Sequence, residues 1–359
     1  MNTTYETRSD AEIVRDMAGG CTLSQVLYTA VELRIADHLE DGPLVCSRLS
    51  QLTGAQQQSL LRFLRMMTVV GLLEQKPGGA FSLTGRGELL RASHPASLRN
   101  RIRYIGEVSY RAALGMCHAV RSGEPGFDHI FGMPFFEYFS HNPGAGSLFN
   151  DLMSKAIEDR SAGVVASYDF SGVKTVVDVG GGNGTLMTAI LKAHPEVVGH
   201  LFDTASVLDE AHRYLEENGL SARCRTTPGD FFHDSVPAGG DLYILSNILH
   251  DWDDAQVCRI LGNCSMAMGQ SGRLLVIEQI MPDSPLDAPV TVSSDLSMLL
   301  LLRGRERTEA EYRGLLDTVG LQQRSVFPFE PSRSYNNRRS NWAIIECIRS
   351  MGGNGRVNA

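Results

Sequence analysis

A histidine stands directly after an apolar run, in a position suited to proton chemistry. Residues 242–249 are mostly apolar and predict a buried strand, and His250 follows them. An imidazole near its neutral pKa can accept the proton of an attacking hydroxyl, so His250 is a candidate general base. A lone histidine is more often structural than catalytic, and that alternative stays open on this residue alone.

A glycine-rich loop follows an earlier predicted strand and indicates a ligand site. The run 176–179 leads into residues 180–184, of which four are glycine. No lysine precedes Thr185, which argues against a Walker phosphate loop, and Thr185 also replaces the third glycine of a dinucleotide fingerprint. An acid followed by Gly-x-Gly-x-Gly is typical of S-adenosylmethionine sites, and it is met by Asp178, Gly180, Gly182 and Gly184. A structural turn that binds nothing is the alternative.

Two further acidic positions follow the next predicted strands. Asp203 lies about 20 residues beyond the loop, where a carboxylate can accept hydrogen bonds from both ribose hydroxyls, although it could instead cap a helix. Asp230 can accept from an adenine amino group, and Phe231 can lie on the adenine face, although both could belong to an ordinary turn. Together with the loop, these positions indicate one adenosyl ligand.

The second half of the chain alternates between strand and helix patterns from about Ser171 onward. This rhythm predicts an α/β fold, a Rossmann-like doubly wound sheet with its ligands outside the carboxyl ends of the strands. Seven runs are predicted strands: 174–179, 199–202, 223–227, 242–247, 273–280, 322–327 and 342–347. Predicted helices between them include residues 185–192, 254–268 and 309–319.

The first half is mostly helical. Helical patterns at 11–36, 44–52 and 56–70, followed by two short strand-like runs around Lys76-Pro77-Gly78-Gly79, predict a winged helix. We therefore expect a winged-helix-like dimerisation domain at 1–100 and a helical linker contributing to the substrate pocket at 101–165. An adenosyl-binding catalytic domain at 166–350 and a disordered tail at 351–359 complete the predicted organisation.

Composition excludes several broad classes. The net charge is −8, which is unfavourable for binding a nucleic-acid backbone, and 43% of the residues are hydrophobic, as in ordinary globular enzymes. The N-terminus does not resemble a secretory signal, and no apolar run reaches the roughly 18 residues of a membrane span. Seven cysteines without a Cys-x-x-Cys pair indicate reduced thiols, so we expect a cytoplasmic protein with no membrane partner.

Four motifs in order carry a resemblance to a known family. They are Asp178-Val-Gly-Gly-Gly-Asn-Gly184, Gly229-Asp-Phe-Phe232, Leu249-His-Asp-Trp-Asp-Asp254 and Gly304-Arg-Glu-Arg-Thr-Glu309. The chain resembles, over nearly its whole length, the dimeric small-molecule O-methyltransferases of the plant caffeate type and their bacterial secondary-metabolite relatives. The resemblance implies S-adenosylmethionine as methyl donor, S-adenosylhomocysteine as product, and a homodimer formed through the N-terminal domain. It implies methyl transfer to a hydroxyl of an aromatic or polyketide-like small molecule.

The resemblance also implies roles for individual residues. His250 corresponds to the general base, and Glu278 and Glu306 to the carboxylates that hold its imidazole; Glu306 could instead cap a helix at Thr308 or pair with Arg307. Asp251 could also steady the site. Acceptor-contacting positions correspond to Phe149, Asn150, Met153 and Met298, although Met and Phe at helical spacing are equally consistent with plain core. No metal is implied.

This sequence departs from the family pattern at two cofactor positions. Thr204-Ala205 replaces the usual Leu-Pro after the ribose-binding acid, and Ser246 stands where plant members usually have lysine, which puts one cofactor contact in doubt. Two other functions remain open. One is a non-methylating relative that binds the same cofactor, of the hydroxylase, decarboxylase or pericyclase type. The other is a winged-helix regulator, although its recognition helix, near 56–70, carries only two arginines.

Overall fold

A computed structural model describes residues 9–331 and 340–350 of the chain. The predicted disordered tail at 351–359 lies outside the described residues. The chain divides into two compact units, one formed by residues 1–111 and 139–152, the other by residues 112–138 and 153–359. Each is described by itself below.

The first unit contains a winged helix, as the sequence predicted. Its three-stranded antiparallel sheet has the order β1-β3-β2, with two helices between the first and second strands. The elements are α1 (Asp10–Ala18), α2 (Gly20–Glu32), α3 (Ile35–His38), β1 (Leu44–Val45), α4 (Cys46–Thr53), α5 (Gln57–Val69), β2 (Leu73–Gln75), β3 (Ala80–Leu83), α6 (Gly85–Glu88) and α7 (Arg99–Tyr104).

The helix α5 shows why this unit folds as it does. Leu60, Leu64 and Met67 recur at helical spacing and are all buried, which fixes the face of α5 that packs into the core. The predicted helix at 44–52 begins two residues late, because Leu44 and the β-branched Val45 pair with β3 before the chain turns into α4.

Three helices contain residues of both units: α8 (Tyr110–Ala112), α11 (Phe135–His141) and α12 (Pro143–Ser167). The second unit contains the remaining elements. Its helices are α9 (Met116–Ser122), α10 (Gly126–Phe131), α13 (Thr185–Ala193), α14 (Ala205–Glu217), α15 (Asp254–Ala267), α16 (Pro289–Leu301) and α17 (Glu309–Thr318). Its strands are β4 (Thr175–Val179), β5 (Val198–Asp203), β6 (Cys224–Pro228), β7 (Leu242–Ser246), β8 (Arg273–Gln279), β9 (Leu321–Pro328) and β10 (Trp342–Arg349).

These seven strands form one sheet in the order β6-β5-β4-β7-β8-β10-β9. All seven predicted strands are present, with ends displaced by at most two residues. The first five are parallel to one another, whereas β10 pairs antiparallel with both β8 and β9, so the doubly wound sheet is mixed. β10, the last strand of the chain, lies between β8 and β9. Because it is antiparallel to both, it needs no crossover helix to reach this position.

The sheet is buried on both faces, which explains its nearly continuous apolar strands. Alternate residues of each strand enter different cores: Val176 and Ile244 lie in one cluster, whereas Val177 and Leu245 lie in the other. The order in which strands are added to the sheet reverses at β4: β5 and β6 lie on one side of it, and β7 and β8 on the other. A crevice for ligands is expected at such a switch point.

The structure also bears on the cysteines and on whether any helix could span a membrane. None of the seven cysteines, all in the described part of the chain, forms a disulfide. Among the described residues, none of the helices is both long and apolar enough to cross a membrane.

Candidate active site

The glycine loop brings backbone close to its surroundings. Gly180, directly after β4, has a φ of +72°, and a Cβ there would lie 2.5 Å from the side chain of Ile248. A Cβ at Gly181 would lie 2.7 Å from the carboxyl group of Asp178. Side chains are therefore excluded at Gly180 and Gly181, where the loop exposes backbone that a ligand can approach.

Asp178 lies beneath this loop and is almost fully buried. Burial, helped by the nearby charge of Asp203, raises the pKa of Asp178 to about 7. Its Oδ2 atom is buried and has no hydrogen-bond partner among the described residues. Buried polar atoms are normally paired, so an unpaired carboxylate oxygen beside an open glycine backbone fits a ligand that carries donors or positive charge.

Asp203 ends β5 and contacts the same loop. Its Oδ2 accepts the N–H of Gly182 at 2.9 Å, and its Oδ1 accepts the N–H of Thr204 at 2.6 Å. Burial raises the pKa of Asp203, against the opposing effect of these donors. The N-cap residue of α14 is Thr204, so Asp203 does not occupy the capping position that the sequence left open.

Asp230 and Phe231 follow β6 and differ in what they contact. One oxygen of Asp230 accepts the N–H of Phe232 at 2.8 Å, and the other lies 2.8 Å from the Nδ1 atom of His233, so the carboxylate organises a turn. Phe231 lies beside the glycine loop, since its ring would be 3.5 Å from a Cβ at Gly180. Phe231 is thus in direct contact range of the loop.

The end of β7 leads into the turn that carries the histidine. Ser246 is half-buried and pairs in register with Ile277 of β8. Asn247 follows in the left-handed region at a φ of +56°, which is tolerated by asparagine better than by most residues. The chain then forms a 3-10 turn over Leu249–Asp251, and His250 is its central residue.

His250 is buried within three carboxyl groups. Its Nδ1 atom lies 3.1 Å from Oε1 of Glu306 and 3.6 Å from Oε2 of Glu278, and its Nε2 atom lies 3.4 Å from Oδ1 of Asp251. Burial lowers the pKa of His250, but the charges of Glu278, Asp251 and Glu306 outweigh it and raise the pKa to about 10. The surrounding charges therefore favour the protonated imidazole, and the neutral ring that a base requires becomes more populated as the pH rises toward this pKa.

Glu278, near the end of β8, acts mainly on the backbone before the histidine. Its Oε1 accepts the N–H groups of Ile248 at 3.0 Å and Leu249 at 2.8 Å, while Oε2 has no described hydrogen-bond partner. The side chain is fully buried, and burial raises the pKa of Glu278 to about 7 despite the nearby charge of His250. Burial likewise raises the pKa of Asp251 to about 6.

Glu306 contacts the imidazole directly. Its Oε1 also accepts the hydroxyl of Ser294 at 2.7 Å, and its backbone N–H donates to Asp295 at 2.9 Å, so α16 fixes its position. The capping box of α17 is formed by Thr308 and Glu311, without Glu306. Glu311 therefore takes the helix-capping role that the sequence left open for Glu306.

A buried cation lies near these carboxylates. Arg160 of α12 is almost fully buried, and its guanidinium carbon lies 4.4 Å from the centre of the Trp342 ring. Burial lowers the pKa of Arg160 to about 10, against the opposing charges of Glu278 and Glu306. Within the described residues, His250, Glu278 and Glu306 are also the cluster whose ligand atoms lie close enough together to hold a metal ion.

The positions that resemble the family's acceptor contacts are spread over both units. Phe149 belongs to the first unit, where its ring stacks on Phe139 at 4.9 Å, and Asn150 is exposed in the same unit. Met153 and Met298 belong to the second unit, at an exposed and a half-buried position respectively.

Two residues of the site, Arg307 and Asn183, were not predicted from the sequence. Arg307 is fully buried and binds the backbone on both sides of His250, although it had been considered only as a partner for Glu306. Asn183, inside the glycine loop, donates to the hydroxyl of Ser154 at 2.7 Å. The charged run Arg305-Glu306-Arg307 between apolar segments was the available hint, because such a run must find partners when it is buried.

Family models match two parts of the chain. Residues 16–93 match an O-methyltransferase dimerisation domain, and residues 114–322 match an O-methyltransferase domain. The chain is similar to the phenazine O-methyltransferase PhzM of Lysobacter antibioticus, with 39% identity over 319 residues, covering 89% of this chain and 93% of that protein.

Solved structures give the same result. The mitomycin 7-O-methyltransferase MmcR superposes with a TM-score of 0.87 at 35% identity, covering 95% of this chain and 98% of that one. NcsB1 from neocarzinostatin biosynthesis, solved with S-adenosylmethionine and 2-hydroxy-5-methyl naphthoic acid, gives a TM-score of 0.80 at 34% identity, covering 91% and 96%. A relative with a different reaction is the aclacinomycin 10-hydroxylase RdmB of Streptomyces purpurascens, with 33% identity over 88% of this chain and 85% of that protein.

These matches, together with the loop, the carboxylates and the buried histidine, confirm the family predicted from the four motifs. The dimerisation domain supports a homodimer, and the substrate is a small molecule. The chain belongs to the O-methyltransferase family and is an O-methyltransferase that depends on S-adenosylmethionine.

Proposed function

We propose that this enzyme methylates a hydroxyl group of an aromatic or polyketide-like secondary metabolite, with His250 as the general base. One observation carries the proposal: a buried imidazole is held by Glu306 through Nδ1, which leaves Nε2 as the atom that can take a proton. S-adenosylmethionine, when bound, supplies an electrophilic methyl group and leaves as S-adenosylhomocysteine.

The hydrogen bond at Nδ1 selects the tautomer. When Nδ1–H donates to Glu306, the neutral ring carries its lone pair on Nε2, and the acceptor's hydroxyl proton is transferred there as its oxygen becomes nucleophilic. The imidazolium that forms is stabilised by Glu278, Glu306 and Asp251. Asp251, 3.4 Å from Nε2, is placed to receive a hydrogen bond from the protonated ring.

The residues around the glycine loop fit the methyl donor. We propose that Gly180 and Gly182 present backbone, and that Asp178 offers its unpaired oxygen to the donor's positively charged methionine portion. Asp203 is assigned the ribose hydroxyls and Phe231 the adenine face, with the turn of Asp230 beside it. Ser246 completes the proposed set at the end of β7. An oxygen-rich pocket of this kind suits a cation better than a phosphate.

The acceptor class follows from the relatives and the predicted contact residues. MmcR and PhzM are named for mitomycin and phenazine, and NcsB1 was solved with a hydroxylated naphthoic acid. Flat ring systems of this type match the aromatic and thioether side chains proposed as acceptor contacts, which together with one amide are Phe149, Asn150, Met153 and Met298.

The remaining expectations form part of the same proposal. We propose the domain boundaries 1–100, 101–165 and 166–350, a homodimer formed through the first of these, and a cytoplasmic location without nucleic-acid or membrane partners. The regulator alternative is disfavoured because α5 directs Leu60, Leu64 and Met67 into its own core and carries only two arginines. The non-methylating alternative is disfavoured because His250, Glu278 and Glu306 are all retained and lie together, as activation of a hydroxyl requires.

The donor site can be tested at Gly181. We expect Gly181→Ala to weaken binding of S-adenosylhomocysteine by at least about tenfold, roughly 1.4 kcal/mol, because the new methyl group displaces the Asp178 carboxylate. Isothermal calorimetry measures this directly. Gly314→Ala is the control, since a Cβ at Gly314 meets nothing within 4 Å, and equal affinities in both variants would contradict the assignment.

The base can be tested by His250→Ala. We expect kcat to fall by about 10²-fold or more with a labelled donor and a panel of hydroxynaphthoic and hydroxyphenazine acids. Affinity for S-adenosylhomocysteine should stay within about twofold, because the proposed donor contacts lie elsewhere. His212→Ala, on α14 with Thr226 as its hydrogen-bond partner, is the matched control. Unchanged methyl transfer in His250→Ala would remove this residue from the mechanism.

The carboxylates predict a pH dependence. Only the unprotonated ring can act as base, so kcat/KM should rise with pH toward the His250 pKa of about 10. In Glu278→Gln the amide oxygen can still accept the two backbone N–H groups, but one negative charge is lost. The pKa of His250 should therefore fall, and the rise of kcat/KM should move to lower pH. A pH–rate profile from 6 to 10.5 on one acceptor checks this. If the rising part of the profile stayed at the same pH in Glu278→Gln, ionisation of the acceptor alone would set its position.

Metal removal distinguishes proton chemistry from metal chemistry at the same cluster. We expect enzyme dialysed against EDTA to retain its full rate, because the imidazole itself accepts the proton. The assay uses the same acceptor panel, with magnesium and zinc added back in parallel samples. A rate that falls with EDTA and recovers with one of these ions would assign His250, Glu278 and Glu306 to that ion instead.

A further inference from the structure

The short segment 304–307 reaches the His250 turn in three ways. Gly304 lies against the carbonyl of His250 so closely that any Cβ there would overlap the oxygen. Glu306 bonds the imidazole, as described above. Arg307 binds the main chain on both sides of the histidine, and neither the resemblance nor the proposed mechanism gives it a role.

The bonds of Arg307 are short and its side chain is fully buried. Nη1 donates to the carbonyl of Leu249 at 2.8 Å, and Nη2 donates to the carbonyl of Trp252 at 2.7 Å. Nε and Nη2 also donate to Oδ1 of Asp254, at 2.9 and 2.8 Å. One planar guanidinium thus bridges the residue before His250, the second residue after it and the first residue of α15.

The turn's own hydrogen bonds are weaker than those it receives from outside. Its internal hydrogen bonds, from Asp251 N–H to the Ile248 carbonyl and from Trp252 N–H to the Leu249 carbonyl, are long, at 3.3 and 3.4 Å. Such 3-10 turns have poor hydrogen-bond geometry in general. The shorter bonds come from outside: Glu278 binds the N–H groups that enter the turn, and Arg307 binds the carbonyls at its two ends.

We propose that Arg307 is a positioning residue for the reaction: its guanidinium clamps the main chain of the His250 turn, so that the imidazole stays bonded to Glu306 with Nε2 available to the acceptor. The inference rests on the proposed role of His250 as base. Arginine suits this task because its fixed fork of donors can hold two carbonyls and a carboxylate at once, whereas a lysine ammonium offers a single point of attachment.

The backbone of Arg307 is itself anchored beside β8. Arg307 forms a parallel bridge with Ile280, and its carbonyl accepts the N–H of Met281 at 2.9 Å. Ile280 is two residues beyond Glu278. Glu278 and Arg307, the two outside partners of the turn, are therefore fastened to the same end of the same strand.

A neighbouring arginine provides a matched control. Arg305 also pairs with Asp254, at 3.0 Å, and with Glu311, but its side chain is 45% exposed and makes no bond to the His250 turn. Replacing Arg305 removes the same charge from the same segment and one ion pair of Asp254, but it leaves both bonds from Arg307 to the carbonyls of Leu249 and Trp252 in place. A difference between Arg305 and Arg307 variants thus separates the clamp from simple charge.

The test compares Arg307→Lys, Arg307→Met, Asp254→Ala and Arg305→Met with the native enzyme. The measurements are kcat and KM on the best acceptor of the panel, calorimetric affinity for S-adenosylhomocysteine, and NMR of histidine-labelled protein. The NMR signal of His250 is identified by its loss in His250→Ala. Asp254→Ala changes a half-exposed residue, so it provides a folded variant even where Arg307→Met does not fold.

We expect kcat to fall by about 10²-fold in Arg307→Lys and Arg307→Met, as for an ångström-scale misplacement of a reacting group, with donor affinity within about twofold. Asp254→Ala should show a smaller loss, and Arg305→Met should match the native enzyme. The His250 signal should shift in the Arg307 variants, shift less in Asp254→Ala, and stay at its native position in Arg305→Met.

Native kcat and an unshifted His250 signal in folded Arg307→Lys would overturn the clamp, as would an equal loss in Arg305→Met. Failure of the underlying function looks different. If His250→Ala kept its methyl transfer, His250 would not be the base, whereas the NMR shift in Arg307→Lys would still report whether Arg307 holds the turn.

Discussion

One imidazole and three carboxyl groups share a space that water hardly reaches, and this electrostatic constraint governs the second unit. Glu278 and Glu306 are buried, and two of their four oxygens have no described hydrogen-bond partner. Burying carboxylates without compensation costs several kcal/mol each, so the arrangement depends on positive charge, backbone donors and shared protons. The protonated His250 supplies the first, and the N–H groups of residues 248 and 249 supply the second.

The architecture meets this constraint by using the ends of strands. A parallel sheet directs the carboxyl ends of β7 and β8 to one edge, where the backbone no longer pairs within the sheet and its N–H groups are free to bind side chains. Glu278 takes up those donors. The antiparallel β10 then covers the other side of β8, with Ala343 as the register partner of Glu278, so the glutamate lies in the interior of the sheet and not at its edge.

The sequence was sufficient to predict what depends on local pattern. Apolar runs located all seven strands of the large sheet, and the glycines predicted the close backbone approach after β4, because strand burial and backbone approach each leave a short-range signature. His250 was found because it directly follows such a run. The beginning of α4 was misplaced, since the pairing of Val45 with Ala80 depends on a strand 35 residues away.

Long-range partners left no such signature. Asp230 has the predicted neighbours, but its carboxylate binds Phe232 and His233 within its own turn, and nothing in the residue types distinguishes that from a ligand contact. Arg305 and Arg307 are two positions apart and chemically identical, yet one is half-exposed and the other fully buried. Side-chain alternation would place both arginines on one face of an extended segment, so their difference arises from tertiary contacts such as the bridge between Arg307 and Ile280.

The bonds from α16 to Glu306 have a consequence for changing what the enzyme accepts. Ser294 and Asp295 fix Glu306 from one turn of that helix, and Met298, a proposed acceptor contact, lies on the next turn. If a variant accepts a different substrate because α16 has moved, Glu306 moves with the helix. The pKa of His250 then changes as well. Evolution of substrate range along this helix is consequently coupled to turnover.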